Sequence, residues 1–224
     1  MDIQQAIRER HSVRQYTDRK IEPETAAALQ GEIAACNAES GLKIQLVTDE
    51  PRAFESFLAH YGKFRGVSSY IALIGKKGDG LDEKAGYYGE RLVLYAQTLG
   101  LNTCWVALTF SKSTTKAHCE IGKDEKLVCV IAIGYGATQG MPHKSKPMES
   151  FYRAEGPLPS WFGEGLEAAV LAPTATNQQK FLFSLSGGKV KAEATGGAYS
   201  QLDLGIVSYH FEIGAGKENF QWLK

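Results

Sequence analysis

A helix-length apolar stripe, a glycine and a short segment ending in tryptophan occur in that order twice in this 224-residue chain. Leu92, Tyr95, Ala96 and Leu99 stand at i, i+3, i+4 and i+7, followed by Gly100 and Asn102-Thr-Cys-Trp105. Ile206, Tyr209, His210 and Ile213 repeat the spacing ahead of Gly214 and Asn219-Phe-Gln-Trp222. Each copy reads as an amphipathic helix, a glycine stop and a strand closing on tryptophan. A helix leading to a strand precedes each, 24–38 into 43–47 and 162–171 into 181–185. The chain is therefore expected to build two related halves, 1–146 and 160–224, joined by a proline-rich connector over 147–159 and packed as one unit.

Local signals fill in the remaining elements. Asp2 is placed to cap a first helix carrying Ile3, Ala6 and Ile7. Pro23 opens a second helix that Gly41 ends. Segment 51–61 carries Phe54, Phe57 and Leu58 at helical spacing, and 70–74 is a short apolar strand. Ser111 starts a short polar helix, and 127–133, rich in valine and isoleucine, is the candidate central strand. Gly187-Gly188 supplies the positive φ angles of a tight hairpin.

Composition removes several function classes. Lysine plus arginine and aspartate plus glutamate both total 25, and no basic stripe of the kind nucleic acid requires is visible. Cys36, Cys104, Cys119 and Cys129 show no CxxC spacing and read as free thiols of a reducing compartment. No signal-peptide pattern or membrane-length apolar run occurs, so a cytoplasmic location without membrane contact is expected. The five histidines lack metal-ligand spacing. His210, on an apolar helix face, reads as a hydrogen-bonded core residue.

Two distant segments carry the chemistry. If Arg10-His11-Ser12-Val13-Arg14 is extended, Arg10, Ser12 and Arg14 project to one side, and His11 and Val13 to the other. Two guanidinium forks and a hydroxyl on one face suit a phosphate ester. A solvated basic turn at the end of the first helix is the alternative. In Ala172-Pro-Thr-Ala-Thr-Asn-Gln178-Gln, Pro173 stiffens a loop, Thr174 offers a hydroxyl, and the Asn177 carboxamide both donates and accepts. Turn formation or helix capping by Thr174 and Asn177 stays open. Gly134-Tyr-Gly136-Ala-Thr-Gln-Gly140 precedes a proline-flanked basic loop with His143, Lys144 and Lys146 instead of a helix, which argues against a dinucleotide fingerprint.

Taken together, these segments resemble the FMN-dependent nitroreductase family. Ile7-Arg-Glu-Arg10-His-Ser12-Val-Arg14-Gln-Tyr16 is similar to its N-terminal phosphate segment, and Ala172 to Gln178 resembles its A-P-S-x-x-N-x-Q-P-W signature. That signature sits in the last quarter of this chain, as in the subgroup whose internally duplicated chain imitates the usual homodimer. The resemblance implies an α+β nitroreductase-like fold, mixed sheets flanked by helices, with one FMN at the junction of the halves. It implies cofactor contacts from Arg10, His11, Ser12 and Arg14, from Lys144 or Lys146 on the phosphate, and from Pro173, Thr174, Asn177 and Gln178 on the ring. No side chain is assigned a catalytic role. The implied reaction passes electrons from NAD(P)H through FMN to a nitroaromatic, quinone or similar acceptor, in a monomer. Gln179 and Lys180 replace the family's proline and tryptophan, and Thr174 its serine. These departures, which alter loop rigidity, leave two alternatives: a non-enzymatic flavin or small-ligand binder, and a flavin-free pseudo-enzyme.

Overall fold

In the computed structural model, which describes residues 1–223 except Ser56 and the side chain of Leu58, the Asp2 carboxylate accepts the Gln5 N–H at 2.7 Å and starts α1 (Ile3–Glu9). Pro23 opens α2 (Pro23–Ser40), and Gly41 closes it in the left-handed region. The chain divides into two compact units. One holds Met1, Arg10–Leu81 and Leu92–Pro142, and the other Asp2–Glu9, Asp82–Arg91 and His143–Lys224. These bounds differ from the sequence-derived halves, because α1 and residues 82–91 group with the later part of the chain.

The first unit is built on an antiparallel sheet in the order β1-β2-β4-β3, from β1 (Gln45–Val47), β2 (Ser69–Lys76), β3 (Asn102–Val106) and β4 (Glu125–Gly134). α3 (Phe57–Tyr61), α4 (Leu81–Thr98) and α5 (Lys112–Ala117) connect the strands. The central strands are apolar runs, with 70–74 and 129–133 buried throughout. Segment 51–61 is not one helix. Glu50 accepts the Arg52 N–H and Pro51 starts a separate 3-10 turn, Pro51–Phe54, ahead of α3. The break sends Phe54 into the core and leaves Phe57 84% exposed, while the Leu58 side chain lies outside the described residues.

The second unit carries a mixed sheet, β5-β6-β7-β8. β5 (Tyr152–Ala154) and β8 (Gln221–Trp222) run parallel to β6 (Phe181–Ser186) and β7 (Lys189–Ala194) respectively, and β6 and β7 form the expected hairpin. Gly187 and Gly188 take φ of 55° and 75° in its turn. α7 (Ser200–Ala215) is buried along most of its length and packs on α6 (Ser160–Val170). The Phe183 and Phe211 rings stack at 4.4 Å. Gly214 does not end α7. A Cβ there would lie 2.6 Å from both Ala168 Cβ and Glu164 O, so it serves close helix packing, and the stop moves to Gly216. His210 is a core residue, its ring nitrogens 3.0 Å from Ala168 O and 2.8 Å from the buried Glu90 carboxylate. The architecture is α+β, with one antiparallel and one mixed sheet.

Candidate functional site

The N-terminal segment adds to an edge of the first sheet. Ser12 pairs with Thr103 in parallel register, and the Val13 N–H donates to Thr103 O at 3.0 Å. Pairing satisfies the exposed edge of β3 and fixes the alternation of side chains. Arg10, Ser12 and Arg14 lie in the neighbourhood of the buried Cys104. All three lie near enough to its thiol to favour the ionised form, Arg14 most strongly. Burial still holds that thiol above its ordinary value, the basic groups pulling the other way. The Arg14 guanidinium also donates to Gly62 O at 3.0 Å and lies 5.5 Å over the Phe64 ring. Arg10 is only 4% exposed, whereas Ser12 and Arg14 are open to solvent. The segment thus combines a buried, permanent cation with two accessible donors.

His11 and Val13 pack against the loop that follows β4. A Cβ on Gly140 would come 2.7 Å from His11 Cβ, and one on Gly136 would come 3.0 Å from Val13 Cγ1. The glycines after β4 therefore admit the N-terminal segment. Asn102 secures the same loop, accepting the Gly136 N–H at 2.9 Å and donating to Gln139 at 3.0 Å. His11 stands apart from Arg10, Ser12 and Arg14.

The remaining expected site residues meet in the second unit. Asn177 Nδ2 and Gln179 Nε2 both donate to Lys144 O, at 2.9 and 2.8 Å. Lys146 Nζ donates to the carbonyls of Gln178 and Gln179 at 2.7 and 3.1 Å, so its ammonium is engaged by the loop. Thr174 Oγ1 accepts the Gln179 N–H at 3.0 Å. Thr176, Asn177 and Gln179 have φ of 51°, 55° and 47°, a left-handed backbone that costs non-glycine residues about 1–3 kcal/mol each. Such strain persists only where surrounding bonds hold it. Gln179, only 4% exposed, supplies several of them, so the position that departs from the family pattern is itself a tie of the loop.

Asp203 supplies the rest. Its carboxylate accepts the Ala175 N–H at 2.9 and 3.1 Å and Gln178 Nε2 at 2.6 Å. Burial raises its carboxyl above the ordinary value, and the two amide donors oppose the shift. No spacing rule marks an aspartate 28 residues beyond Ala175 as a loop anchor. Asp203→Ala is expected to lower stability by about 1–3 kcal/mol, leaving both donors unsatisfied, as urea unfolding would show. The folded carboxyl titrates above an unfolded aspartate, so its contribution is largest below that unfolded value. The difference between wild type and Asp203→Ala should therefore shrink as pH rises through the folded pKa.

These features can be set beside known proteins. A family model described as "Putative TM nitroreductase" matches residues 2–215. The structure is similar to that of a "putative nitroreductase" from Thermotoga maritima, at 25% identity and TM-score 0.68, over 97% of this chain and 85% of that one. A "putative nitroreductase" from Desulfovibrio desulfuricans, solved in complex with FMN, shares the fold at 21% identity and TM-score 0.56, over 71% of this chain and 99% of that one. A nitroreductase family protein from Streptococcus pneumoniae shares it at 15% identity and TM-score 0.54, over 66% of this chain and 98% of that one. A search of curated proteins finds no match. Among the described residues no helix is long and apolar enough to cross a membrane. The sequence match covers nearly the full length and the fold agrees with it, so the chain belongs to the "Putative TM nitroreductase" family.

Proposed function

We propose that the protein is an FMN-dependent oxidoreductase that carries electrons from NADH or NADPH to a small acceptor such as a nitroaromatic or a quinone. The observation that carries this reading is the extended segment paired with β3, which gathers Arg10, Ser12 and Arg14 in the neighbourhood of Cys104. A phosphate monoester needs fixed positive charge and directed donors, and two guanidinium groups with a hydroxyl fit that requirement. The FMN complex of a relative with the same fold supports it.

When bound, FMN supplies the hydride and electron-transfer chemistry. Arg10 and Arg14 hold the phosphate, and Ser12 contributes a hydroxyl donor. The segment from Pro173 to Gln178 is assigned to the polar edge of the ring, with the exposed Asn177 as its principal contact. Gln179, Lys146 and Asp203 keep that loop in its strained form, so its polar groups are preorganised.

Duplication belongs to the same proposal. Apart from α3, which lies between β1 and β2, the helix and strand order α2-β1-β2-α4-β3 matches α6-β6-β7-α7-β8, and both first strand pairs are antiparallel. A duplicated chain would replace a homodimer, and light scattering should give a monomer mass. Four free cysteines fit a reducing, cytoplasmic setting.

The test begins with the visible spectrum after FMN is added and the excess removed. Retained flavin, its bleaching by NADH or NADPH, and parallel-line kinetics on addition of a quinone or nitroaromatic are expected. Failure to retain flavin removes the assignment, and retained flavin that neither nucleotide reduces leaves a binding protein only.

A further inference from the structure

In the first unit, the ends of β2 and β4 and the helix α5 border a concavity of about 510 Å³ lined by Lys77, Lys112, Lys116 and Lys126, with Glu125 as a carboxylate in the wall. The chain as a whole balances its charges at 25 against 25, so this basic excess is local. Glu125 does little to cancel it, because its carboxylate already accepts the Gly122 N–H at 2.6 Å and lies 3.8 Å from the Lys43 ammonium. Lys112 and Lys116 stand four residues apart on α5, a spacing at which like charges repel. Among the described residues no carboxylate pairs with either. Lys77 is steadied at the rim by donating to Lys123 O at 2.9 Å. A concave wall with several ammonium groups concentrates positive potential where a compact anion could enter.

We propose that this concavity binds a diphosphate-bearing anion, with Lys112 and Lys116 as its principal charge contacts. Lysine recognises phosphate as a mobile point charge, which suits a group whose negative charge is spread over several oxygens. The site does not rest on the flavin reading, since none of its residues is assigned to FMN.

Cys119 provides a reporter. It lines the same concavity and is partly exposed, whereas Cys36, Cys104 and Cys129 are buried. Burial pushes its thiol up to about 11, so it is a neutral wall group. Its slow alkylation at alkaline pH reads whether the concavity is filled.

The full-length protein is titrated with inorganic pyrophosphate and, separately, with ADP at matched ionic strength. Heat of binding and the rate of Cys119 modification by iodoacetamide are followed, with Cys119→Ser identifying the labelled thiol. Saturable binding and alkylation slowed several-fold are expected. Lys112→Gln with Lys116→Gln, both on an exposed face, should weaken binding at least tenfold while the far-ultraviolet circular dichroism is retained. Tighter binding of ADP identifies a nucleoside diphosphate as the ligand, and equal binding identifies a free diphosphate. The proposal is overturned if neither anion gives saturable protection, or if the double variant binds as the wild type does.

Discussion

Replacing Arg10 and Arg14 together by alanine is expected to weaken FMN binding by about 100-fold or more while leaving the weaker binding of riboflavin nearly unchanged. Hydrogen bonds to charged groups contribute about 1.5–3 kcal/mol each, and every 1.4 kcal/mol is about tenfold in affinity. Both arginines lie near Cys104, and Arg10 is buried, where its charge is poorly screened. Arg10→Lys and Arg14→Lys keep the charge but lose the planar fork, and should fall between wild type and the alanine variant. Quenching of flavin fluorescence on titration with apoprotein measures all of these affinities. Riboflavin separates a phosphate role from a general loss of structure, since it has the ring and ribityl chain without the phosphate. If both ligands weakened equally, the arginines would be holding the fold rather than the phosphate. That outcome is a real alternative for Arg14, which also donates to Gly62 O and lies over Phe64.

The extended form of the segment from Arg10 to Arg14 was legible, because the signals for it are local and pairing with β3 leaves them intact. The same holds for the Asp2 cap, the Pro23 start and Gly41 stop of α2, and the turn at Gly187-Gly188: each is set by chemistry within a few residues. Where sequence reasoning misplaced an element, a distant partner decided. Gly214 looks like a stop, yet in three dimensions it faces Ala168 and Glu164 of α6 and continues the helix. Segment 51–61 is the local exception: a 3-10 turn over Pro51–Phe54, started by Glu50 and Pro51, closes at Glu55 ahead of α3. Gln179 and Asp203 were missed as loop ties because their partners, Lys144, Lys146, Ala175 and Gln178, come together only through the tertiary fold. A neutral overall charge likewise concealed the lysines of the concavity beside α5, which come from separate stretches of sequence.

The second large effect concerns the crossing of α7 with residues 82–91 of α4. Gly205→Ala is expected to destabilise the protein by about 3 kcal/mol, the upper end of the range for overpacking. A Cβ at Gly205 would sit 1.9 Å from Glu83 O and 2.6 Å from Tyr87 N, and one at Gly86 would sit 2.0 Å from Leu202 O. These neighbours are helix backbone, which cannot swing aside as a long side chain does. The helices would have to separate, loosening the Tyr87 to Tyr209 ring contact at 5.0 Å and the hydrogen bond from Tyr87 to Glu212 at 2.7 Å. Both glycines lie within helices, where glycine is disfavoured by about 1 kcal/mol relative to alanine, so close approach is the reason they fit there. Gly31 in α2 supplies the control, because a Cβ there meets nothing within 4 Å. Gly31→Ala should raise stability by about 0.5–1 kcal/mol. Urea unfolding of the two variants side by side should therefore move the midpoint in opposite directions with little change in slope. A shift for Gly205→Ala no larger in size than that for Gly31→Ala would mean that the helices cross with room to spare, and that Gly205 and Gly86 do not set their separation.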